Sequence, residues 1–418
     1  MMRAPARSVL GALALGIVAA LAVGEGVVRL AARWSPAVRD LAVSRARREP
    51  RTFTSLAAYL ASQPTHVIPH RNWFNYWNNA LGLNDEEFEV PKPPGRFRIL
   101  ALGDSFTYGL VPYPHTAMTL LEARLRTACG GQDLDLLNFG IAGAGVRDYQ
   151  TIVTLGLATY EPDLVLLNFY AGNDAPDLYR RVHEGSRVRA ILGPSRLWTF
   201  GRNVLKLWRG VDDLRTVTAP ARPASAGQVP RGGTPVDPVH HVREDHPALT
   251  GPIFTEATFT AIQAEELRRL YRPEDPAIVE RAWRPVLQEL EAIRTEVLRQ
   301  GGRLALAVYP SALQVYPAEH AALVERLRPR PRYAALRVDA LDPSLPNRQL
   351  AAYCRRAALP CVDLTPAFVE ASAAGKPLYK ERDGHWTIRG NRVAADAEAR
   401  FLADLVCPGS PTPAAAGR

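Results

Sequence analysis

The sequence predicts an α/β fold in which helices cover both faces of a parallel sheet, preceded by an N-terminal membrane helix. Short apolar runs of strand length alternate along the chain with stretches of helical apolar periodicity. This alternation favours a parallel sheet, because each connection between parallel strands needs a crossover helix that packs on the sheet. The predicted strands are Ile99–Leu102, Leu134–Phe139, Leu164–Phe169, Leu304–Val308 and Val362–Leu364; the predicted helices are approximately Thr116–Ala128, Arg147–Thr159, Pro276–Arg299, Pro346–Ala358 and a last one after Gly390.

The amino terminus has the pattern of a targeting or anchoring segment. Met1–Arg7 carries two arginines and no acidic residue, and an unbroken apolar run follows from Ser8 to Gly24. The length of this run lies between the ~7 to 15 residues of a signal-peptide core and the ~17 to 25 residues of a spanning helix. We therefore expect residues 1–24 to be a signal-anchor or a signal peptide, with an uncleaved membrane anchor favoured. The remaining chain is then expected outside the cytoplasm, in the periplasm or at the cell surface.

Composition divides the remaining chain into three parts. Residues 25–96 are rich in arginine and then in proline, which is typical of a linker and lead-in segment. The strand–helix alternation covers residues 97–406, interrupted at about 176–265 by a stretch whose proline, glycine and polar residues predict an irregular insertion. Residues 407–418 predict a disordered tail.

The positive charge of the chain does not indicate a nucleic-acid partner. The formal net charge is +9, and nearly all of it comes from arginine, since Lys92, Lys206, Lys376 and Lys380 are the only lysines. No segment shows a basic run interleaved with aromatic residues or a known nucleic-acid-binding motif. We therefore expect a solvated basic surface.

The cysteines are four in number: Cys129, Cys354, Cys361 and Cys407. An even count is compatible with two disulfides in an oxidising compartment. Cys354 near a helix end and Cys361 at a strand start are placed to meet, and two buried free thiols are an equal alternative. Because no CxxC pair is present, we expect no structural zinc site. We also expect no cofactor.

Four segments place small or polar residues where predicted strands end or where the last helix begins. Ser105 lies on a turn directly after the first strand. Gly143 lies in a glycine-rich segment after the second strand, where backbone N–H groups can approach an anion. Asn173 follows the third strand, and His385 precedes the last helix. Because the carboxyl ends of parallel strands share one edge, we expect these residues to converge there.

The four segments, in this order, resemble the signature blocks of the SGNH hydrolase family, also known as GDSL esterases. Gly103-Asp104-Ser105 resembles the first block, Gly143 the second, Gly172-Asn173-Asp174 the third, and Asp383 with His385 the fifth. The resemblance covers roughly residues 99–406 without the insertion and implies a three-layer, flavodoxin-like arrangement. It also implies that Ser105 is the nucleophile and His385 the general base, and that the N–H groups of Ser105 and Gly143 form the oxyanion hole with the Asn173 amide.

The last block departs from the family pattern. The usual order is Asp-x-x-His, whereas Asp383 lies two residues before His385, and Arg382 holds the third position. An Asp-x-His-Trp spacing resembles the polysaccharide O-acetyltransferase-related members of the superfamily. Asp383 is therefore the expected orienting acid, with Glu381 as the alternative.

These residues together predict serine-dependent hydrolysis of a carboxylic ester, either an acyl ester or an O-acetyl group. Serine needs a base to become nucleophilic, and donors aimed at the oxyanion supply much of the catalysis. An O-acetyltransferase that modifies a cell-surface polysaccharide is the alternative, because the sequence does not separate water from a sugar hydroxyl as the acyl acceptor. A non-catalytic SGNH-fold envelope protein would not need the full set of residues. A nucleotide-binding module is disfavoured, because Gly140, Gly143 and Gly145 do not follow the dinucleotide fingerprint.

A cluster of histidines and acidic residues lies inside the predicted insertion. Its members are His240, His241, Glu244, Asp245 and His246. A metal site needs a frame that fixes the geometry of its ligands, and no helical pattern supplies one here. We interpret the cluster as a solvated loop and expect no bound metal.

Overall fold

The structure is a computed structural model that describes residues 6–35, 38, 42, 53–63, 72–73, 76–175, 195–198, 200–201, 204, 254–270, 275–329, 339 and 341–407. The chain divides into two compact units, one formed by residues 1–52 and 183–223 and the other by residues 53–182 and 224–418. The histidine-containing cluster at 240–246, most of the predicted insertion, and the tail from residue 408 lie outside the described residues.

The helices, in chain order, are α1 Ala6–Trp34, α2 Leu56–Ala61, α3 Ser105–Tyr108, α4 Ala117–Ala128, α5 Val146–Tyr160, α6 Glu256–Arg269, α7 Pro276–Arg299, α8 Ala312–Val315, α9 Pro317–Leu327, α10 Leu345–Ala357, α11 Thr365–Ser372 and α12 Ile388–Val406, with a 3₁₀ turn at Tyr113–His115. The strands are β1 Asn72–Trp73, β2 Tyr76–Trp77, β3 Phe97–Gly103, β4 Leu134–Gly140, β5 Leu164–Tyr170, β6 Arg303–Tyr309 and β7 Cys361–Asp363.

The larger unit is built on a five-stranded sheet in the order β4-β3-β5-β6-β7, and all its strand pairs are parallel. This is the flavodoxin-like strand order, in which the chain changes direction across the sheet between the first and third strands. The register pairs Gly103 with Gly140 on one side of β3, so these two strands end together. Open sheets of this kind bind ligands at the switch point, here between β3 and β5.

Each face of the sheet buries its own apolar cluster. Alternate residues of one strand, such as Leu100 and Leu102, face the cluster that contains residues of α2, α5, α7 and α10. The residues between them, Ile99 and Ala101, face the cluster that contains residues of α4, α11 and α12. Since successive side chains of a strand point to opposite faces, both faces of an all-apolar strand must be covered. The predicted parallel sheet with helices on both faces is confirmed.

Most element bounds differ from those predicted by one or two residues, and α6 begins inside the predicted insertion. Thr255 caps this helix, its hydroxyl accepting a hydrogen bond from the Thr258 N–H. The strand β7 begins at Cys361, one residue earlier than predicted, and α12 begins at Ile388. The composition of residues 176–265 as a whole therefore concealed a helix at its end.

The cysteines form two disulfides. Cys129 at the end of α4 pairs with Cys407 after α12, and Cys354 in α10 pairs with Cys361 in β7. No cysteine is free. Of the two alternatives left open by the sequence, disulfides rather than buried thiols are therefore present.

The predicted membrane helix is not supported. Residues 6–34 do form the helix α1, but within the described part of the chain no helix is both long enough and apolar enough to cross a bilayer. The apolar run ends at Glu25, whose carboxylate accepts hydrogen bonds from the N–H groups of Arg196 and Leu197. Arg29 follows one turn later and pairs with Glu25 at 2.7 Å. Charged residues therefore interrupt the apolar character of α1 in its second half.

Candidate active site

The turn after β3 places Ser105 at the sheet edge. Asp104 caps the short helix α3 by accepting a hydrogen bond at Oδ1 from the Phe106 N–H, at 2.9 Å. A side chain at Gly103 would bring its Cβ within 1.9 Å of Thr107 Oγ1, so the turn is closed by a residue without a side chain. Ser105 becomes the first residue of α3, and its N–H has no hydrogen-bond partner among the described residues.

His385 lies between Ser105 and Asp383. Its Nε2 is 2.8 Å from Ser105 Oγ, and its Nδ1 is 2.8 Å from Asp383 Oδ1. The side chain of Asp383 is 2% exposed, whereas that of His385 is 22% exposed. An imidazole so placed, with a carboxylate behind Nδ1, can accept the hydroxyl proton at Nε2.

The spacing of Asp383 and His385 follows from a tight reverse turn. The Lys380 N–H donates to the His385 carbonyl at 2.8 Å, which closes the turn. Arg382 and Gly384 have positive φ angles of 48° and 84°. With one residue between them, Asp383 and His385 project from the same compact turn, and no helical Asp-x-x-His spacing is needed.

Glu381, the alternative orienting acid, does not contact His385. Its side chain is 66% exposed, and its carboxylate lies 3.5 Å from Arg382 Nε. The described carboxylate that meets Nδ1 of His385 is Asp383.

Asn173 is held beside the nucleophile turn. Its Nδ2 donates to Asp104 Oδ2 at 2.8 Å. This hydrogen bond uses one of the two N–H groups of the Asn173 amide, and the other has no partner among the described residues. Asp174 supports the same segment, because its Oδ2 accepts a hydrogen bond from the Tyr170 N–H at 2.8 Å.

Gly143 lies in the exposed loop between β4 and α5. Its φ of 77° is in the left-handed region, which glycine adopts without strain. The loop starts against β3, because the Ile141 N–H donates to the Gly103 carbonyl at 3.0 Å. The N–H of Gly143 has no hydrogen-bond partner within the described ranges.

The two carboxylates of the site differ in their surroundings. Burial raises the pKa of Asp104, although the Phe106 N–H and the Asn173 amide oppose that shift. Burial acts in the same direction on Asp383, but the charges of His385 and Lys380 outweigh it and hold the pKa of Asp383 below its usual value. Asp383 is therefore the carboxylate suited to stabilise an imidazolium.

Several positioning contacts were not predicted from the sequence. The ring of Phe106 in α3 stacks on Tyr170 with centroids 4.0 Å apart and lies 5.0 Å from the His385 ring. The lead-in segment also reaches the site, because Asn84 Nδ2 donates to the carbonyls of Tyr108 and Gly109 at 3.1 and 3.0 Å. These partners are distant in sequence, and no local motif marks them.

The helix α6 borders the catalytic turn. The Phe254 N–H donates to the Arg382 carbonyl at 3.3 Å, and a Cβ placed on Gly384 would lie 3.9 Å from the ring of Phe259. The end of the predicted insertion therefore contacts the turn that carries His385.

Part of the chain is similar to a known protein family. Residues 270–415 match the family described as SGNH hydrolase-like domain, acetyltransferase AlgX. No curated protein matches the chain. The predicted resemblance to the SGNH hydrolase superfamily, with a last block like that of its polysaccharide O-acetyltransferase-related members, is confirmed.

Solved structures with some similarity to this chain include three enzymes or lipolytic proteins. A lipolytic protein of the G-D-S-L family from Veillonella parvula is 13% identical, with 73% of this chain and 97% of that chain covered and a TM-score of 0.35. An α/β hydrolase from the metagenome of Lake Arreo is 14% identical, with 73% and 94% covered and a TM-score of 0.36. The acetyl xylan esterase AlAXEase is 13% identical, with 73% and 100% covered and a TM-score of 0.37. These similarities are too distant to bear on function.

The family match over residues 270–415 supports an enzyme that hydrolyses esters or transfers acetyl groups.

Proposed function

We propose that this protein cleaves a carboxylic ester through an acyl-enzyme on Ser105. The observation that carries the proposal is the chain of hydrogen bonds from Ser105 Oγ through His385 to Asp383. Both heavy-atom distances are 2.8 Å. A serine hydroxyl attacks an ester only when a base removes its proton. Here the base, its orienting carboxylate and the nucleophile are in hydrogen-bond contact.

The reaction follows in two steps. In the first, His385 Nε2 takes the Ser105 proton while Oγ bonds to the ester carbonyl carbon. The imidazolium then returns the proton to the departing alkoxide, so the alcohol leaves and Ser105 is acylated. In the second step, His385 takes a proton from water while the water oxygen bonds to the acyl carbon. The imidazolium then returns the proton to Ser105 Oγ as the acyl–serine bond breaks, which releases the acid and restores both residues.

The oxyanion of each tetrahedral intermediate needs donors that are not already in use. The N–H groups of Ser105 and Gly143 and the second amide N–H of Asn173 have no partner among the residues that the structure describes. We assign these three donors to the oxyanion hole. Loss of one such donor typically costs about 3 kcal/mol in the transition state.

Acetyl transfer to a glycan hydroxyl is the second candidate. The match of residues 270–415 to the domain of an acetyltransferase favours it. Its first step is the same acylation of Ser105. In its second step a sugar hydroxyl replaces water, and His385 takes the hydroxyl proton.

A fluorophosphonate probe tests the shared first step. The full chain is incubated with the probe, digested and mapped, with Ser105→Ala as the test variant and Ser372→Ala as a serine control away from the turn. We expect labelling of Ser105 in the wild type and in Ser372→Ala, and none in Ser105→Ala. The absence of labelling in a folded wild-type protein would remove the acyl-enzyme proposal.

The acyl acceptor is tested separately. An acetylated oligosaccharide is supplied with and without an unacetylated oligosaccharide acceptor, and free acetate and acetylated acceptor are measured. Acetate release that the acceptor does not change supports the esterase. Acetylated acceptor formed at the expense of free acetate supports the transferase.

We further infer that the catalytic unit works outside the cytoplasm. All four cysteines are paired, and disulfides persist mainly in oxidising compartments. Alkylation of the native protein, isolated from its own cells under denaturing conditions, is the test. Full reactivity of the cysteines without prior reduction would contradict this inference.

A further inference from the structure

One oxygen of the orienting carboxylate is left without a hydrogen bond. Asp383 Oδ1 meets His385, but Asp383 Oδ2 is buried and has no hydrogen-bond partner in the described part of the chain. The ammonium nitrogen of Lys380, Nζ, lies 3.8 Å from Oδ2. The side chain of Lys380 is 3% exposed, so this is a buried cation beside a buried anion.

Lys380 contacts more than Asp383. Its ammonium group donates to the carbonyl of Leu110, which lies just after the nucleophile helix α3. Its backbone N–H donates to the His385 carbonyl. One residue thus connects the turn that carries His385 with the loop that follows Ser105.

Burial of a lysine in this position destabilises the fold unless its ammonium group interacts with a counter-charge and with hydrogen-bond acceptors. Burial lowers the pKa of Lys380, and Asp383 opposes that shift. A buried ammonium group needs both a counter-charge and acceptors for its protons. Asp383 and the Leu110 carbonyl provide them at the point where the proposed mechanism needs an ionised carboxylate.

We propose that Lys380 is a positioning residue for this reaction, whose ammonium group keeps Asp383 ionised and in place and thereby orients the His385 imidazole. The inference rests on the function proposed above for the same site. It adds a fourth member behind the serine, the histidine and the aspartate.

The other charged groups around the pair set the direction of the pH effect. Asp104 acts on His385 from the cap of α3. Glu381 and Arg382 pair with each other at the surface, and Glu266 on α6 accepts a hydrogen bond from Tyr170. Lys380 is therefore the described cation that faces Asp383 together with His385.

Removal of the Lys380 charge is expected to shift the acid limb of activity upward in pH. The ammonium group disfavours a second positive charge on the nearby imidazole, so its loss stabilises the imidazolium. The base must be neutral to accept the serine proton. Activity is then lost at a higher pH than in the wild type.

The experiment compares Lys380→Met, Lys380→Gln and the exposed control Lys376→Met in the full chain. The kcat and KM for a short-chain aryl ester are measured across pH, with thermal melting as a check on folding. For both Lys380 variants we expect kcat to fall about tenfold or more, little change in KM, and an acid limb that moves up by about one pH unit or more. Lys376→Met should match the wild type. Lys380→Gln retains an amide that can reach Leu110, which keeps the test open if Lys380→Met does not fold.

A double-mutant cycle separates positioning from a general structural role. If Lys380 acts through Asp383, then Lys380→Met should cause little further loss of kcat in an Asp383→Asn background. An equal loss in both backgrounds, or an unchanged pH profile in a folded and active Lys380 variant, would overturn the role of Lys380 and leave the proposed function standing. A wild-type protein that neither hydrolyses the ester nor labels at Ser105 would overturn both.

Discussion

Asp383 and Glu398 are two buried carboxylic acids within one short stretch of the chain. Their surroundings favour the ionised form of Asp383 and the neutral form of Glu398. Asp383 is 5% exposed and Glu398 is fully buried. Asp383 has His385 and Lys380 as neighbours, and their interactions hold its pKa below the usual value despite its burial. Burial raises the pKa of Glu398 to about 8, opposed only by a hydrogen bond from Tyr309. The partners of a buried acid, more than its depth, therefore decide whether it is charged.

The two acids also differ in what their second oxygen meets. Asp383 Oδ2 faces Lys380. Tyr309 OH donates to Glu398 Oε1 at 2.8 Å, and Glu398 Oε2 has no hydrogen-bond partner among the described residues. The surroundings of Glu398 suit a neutral carboxyl group, and those of Asp383 suit an ionised one. Only the ionised one can stabilise a developing imidazolium.

The largest effect is expected from Asp383→Asn. The amide keeps the shape but cannot hold His385 in the tautomer that accepts the serine proton, so kcat should fall by about 10⁴-fold. Hydrolysis of a short-chain aryl ester measures this, with thermal melting as the folding check. Glu381→Gln is the matched control and should retain activity. The reverse result, with Glu381→Gln inactive and Asp383→Asn active, would identify Glu381 as the orienting acid. It would also contradict the role assigned to Asp383 in the contrast with Glu398.

A smaller fall in kcat is expected from Asn173→Ala. This substitution removes the amide that donates to Asp104, a third buried acid of the chain. The carboxylate of Asp104 accepts hydrogen bonds from N–H donors, and one of them is the Asn173 amide. Loss of the amide removes a proposed oxyanion donor, so kcat should fall about 10²- to 10³-fold with a smaller change in KM.

The control for this prediction is Asn347→Ala. Asn347 Nδ2 donates to Asp363 Oδ2 at the same distance of 2.8 Å, away from the nucleophile turn. Its loss should lower the melting temperature and leave kcat unchanged. An equal fall of kcat in both variants would show that lost stability, and not a lost donor, explains the effect of Asn173→Ala.

The smallest effect on activity is expected from Glu398→Gln, which should act on stability. The pKa of Glu398 rises from 4.5 to about 8 on folding. Between these values the unfolded chain is ionised and the folded chain is not. The stability that this group contributes is therefore present below about pH 4.5 and is lost as the pH rises towards 8, by about 1.4 kcal/mol per pH unit at most.

Urea unfolding at pH 5 and pH 8 measures that slope. The wild type should lose more free energy of unfolding between the two pH values than Glu398→Gln, whose side chain does not titrate. The kcat of the variant should remain close to that of the wild type. Equal slopes in the two proteins would mean that Glu398 is ionised in the folded state, and the contrast with Asp383 would disappear.

The sequence alone was sufficient where the information is local. Apolar runs such as Leu164–Phe169 predict buried strands because their residues have no polar face to present to water. The small residues that follow, including Gly103 and Gly172, predict tight turns at the sheet edge. Since parallel strands end at a common edge, the order of these turns was enough to predict where Ser105 and Asn173 would lie.

Only the tertiary structure decided the contacts between distant segments. Asp383 rather than Glu381 meets His385 because Arg382 and Gly384 bend the turn through positive φ angles. Cys129 pairs with Cys407 across 278 residues, and Lys380 reaches both Asp383 and Leu110. The carboxylate of Glu25 likewise accepts hydrogen bonds from N–H groups far along the chain, those of Arg196 and Leu197. The physical reason is the same in each case: local sequence determines which conformations a segment can adopt, but charge state and pairing depend on neighbours that only folding brings within a few ångströms.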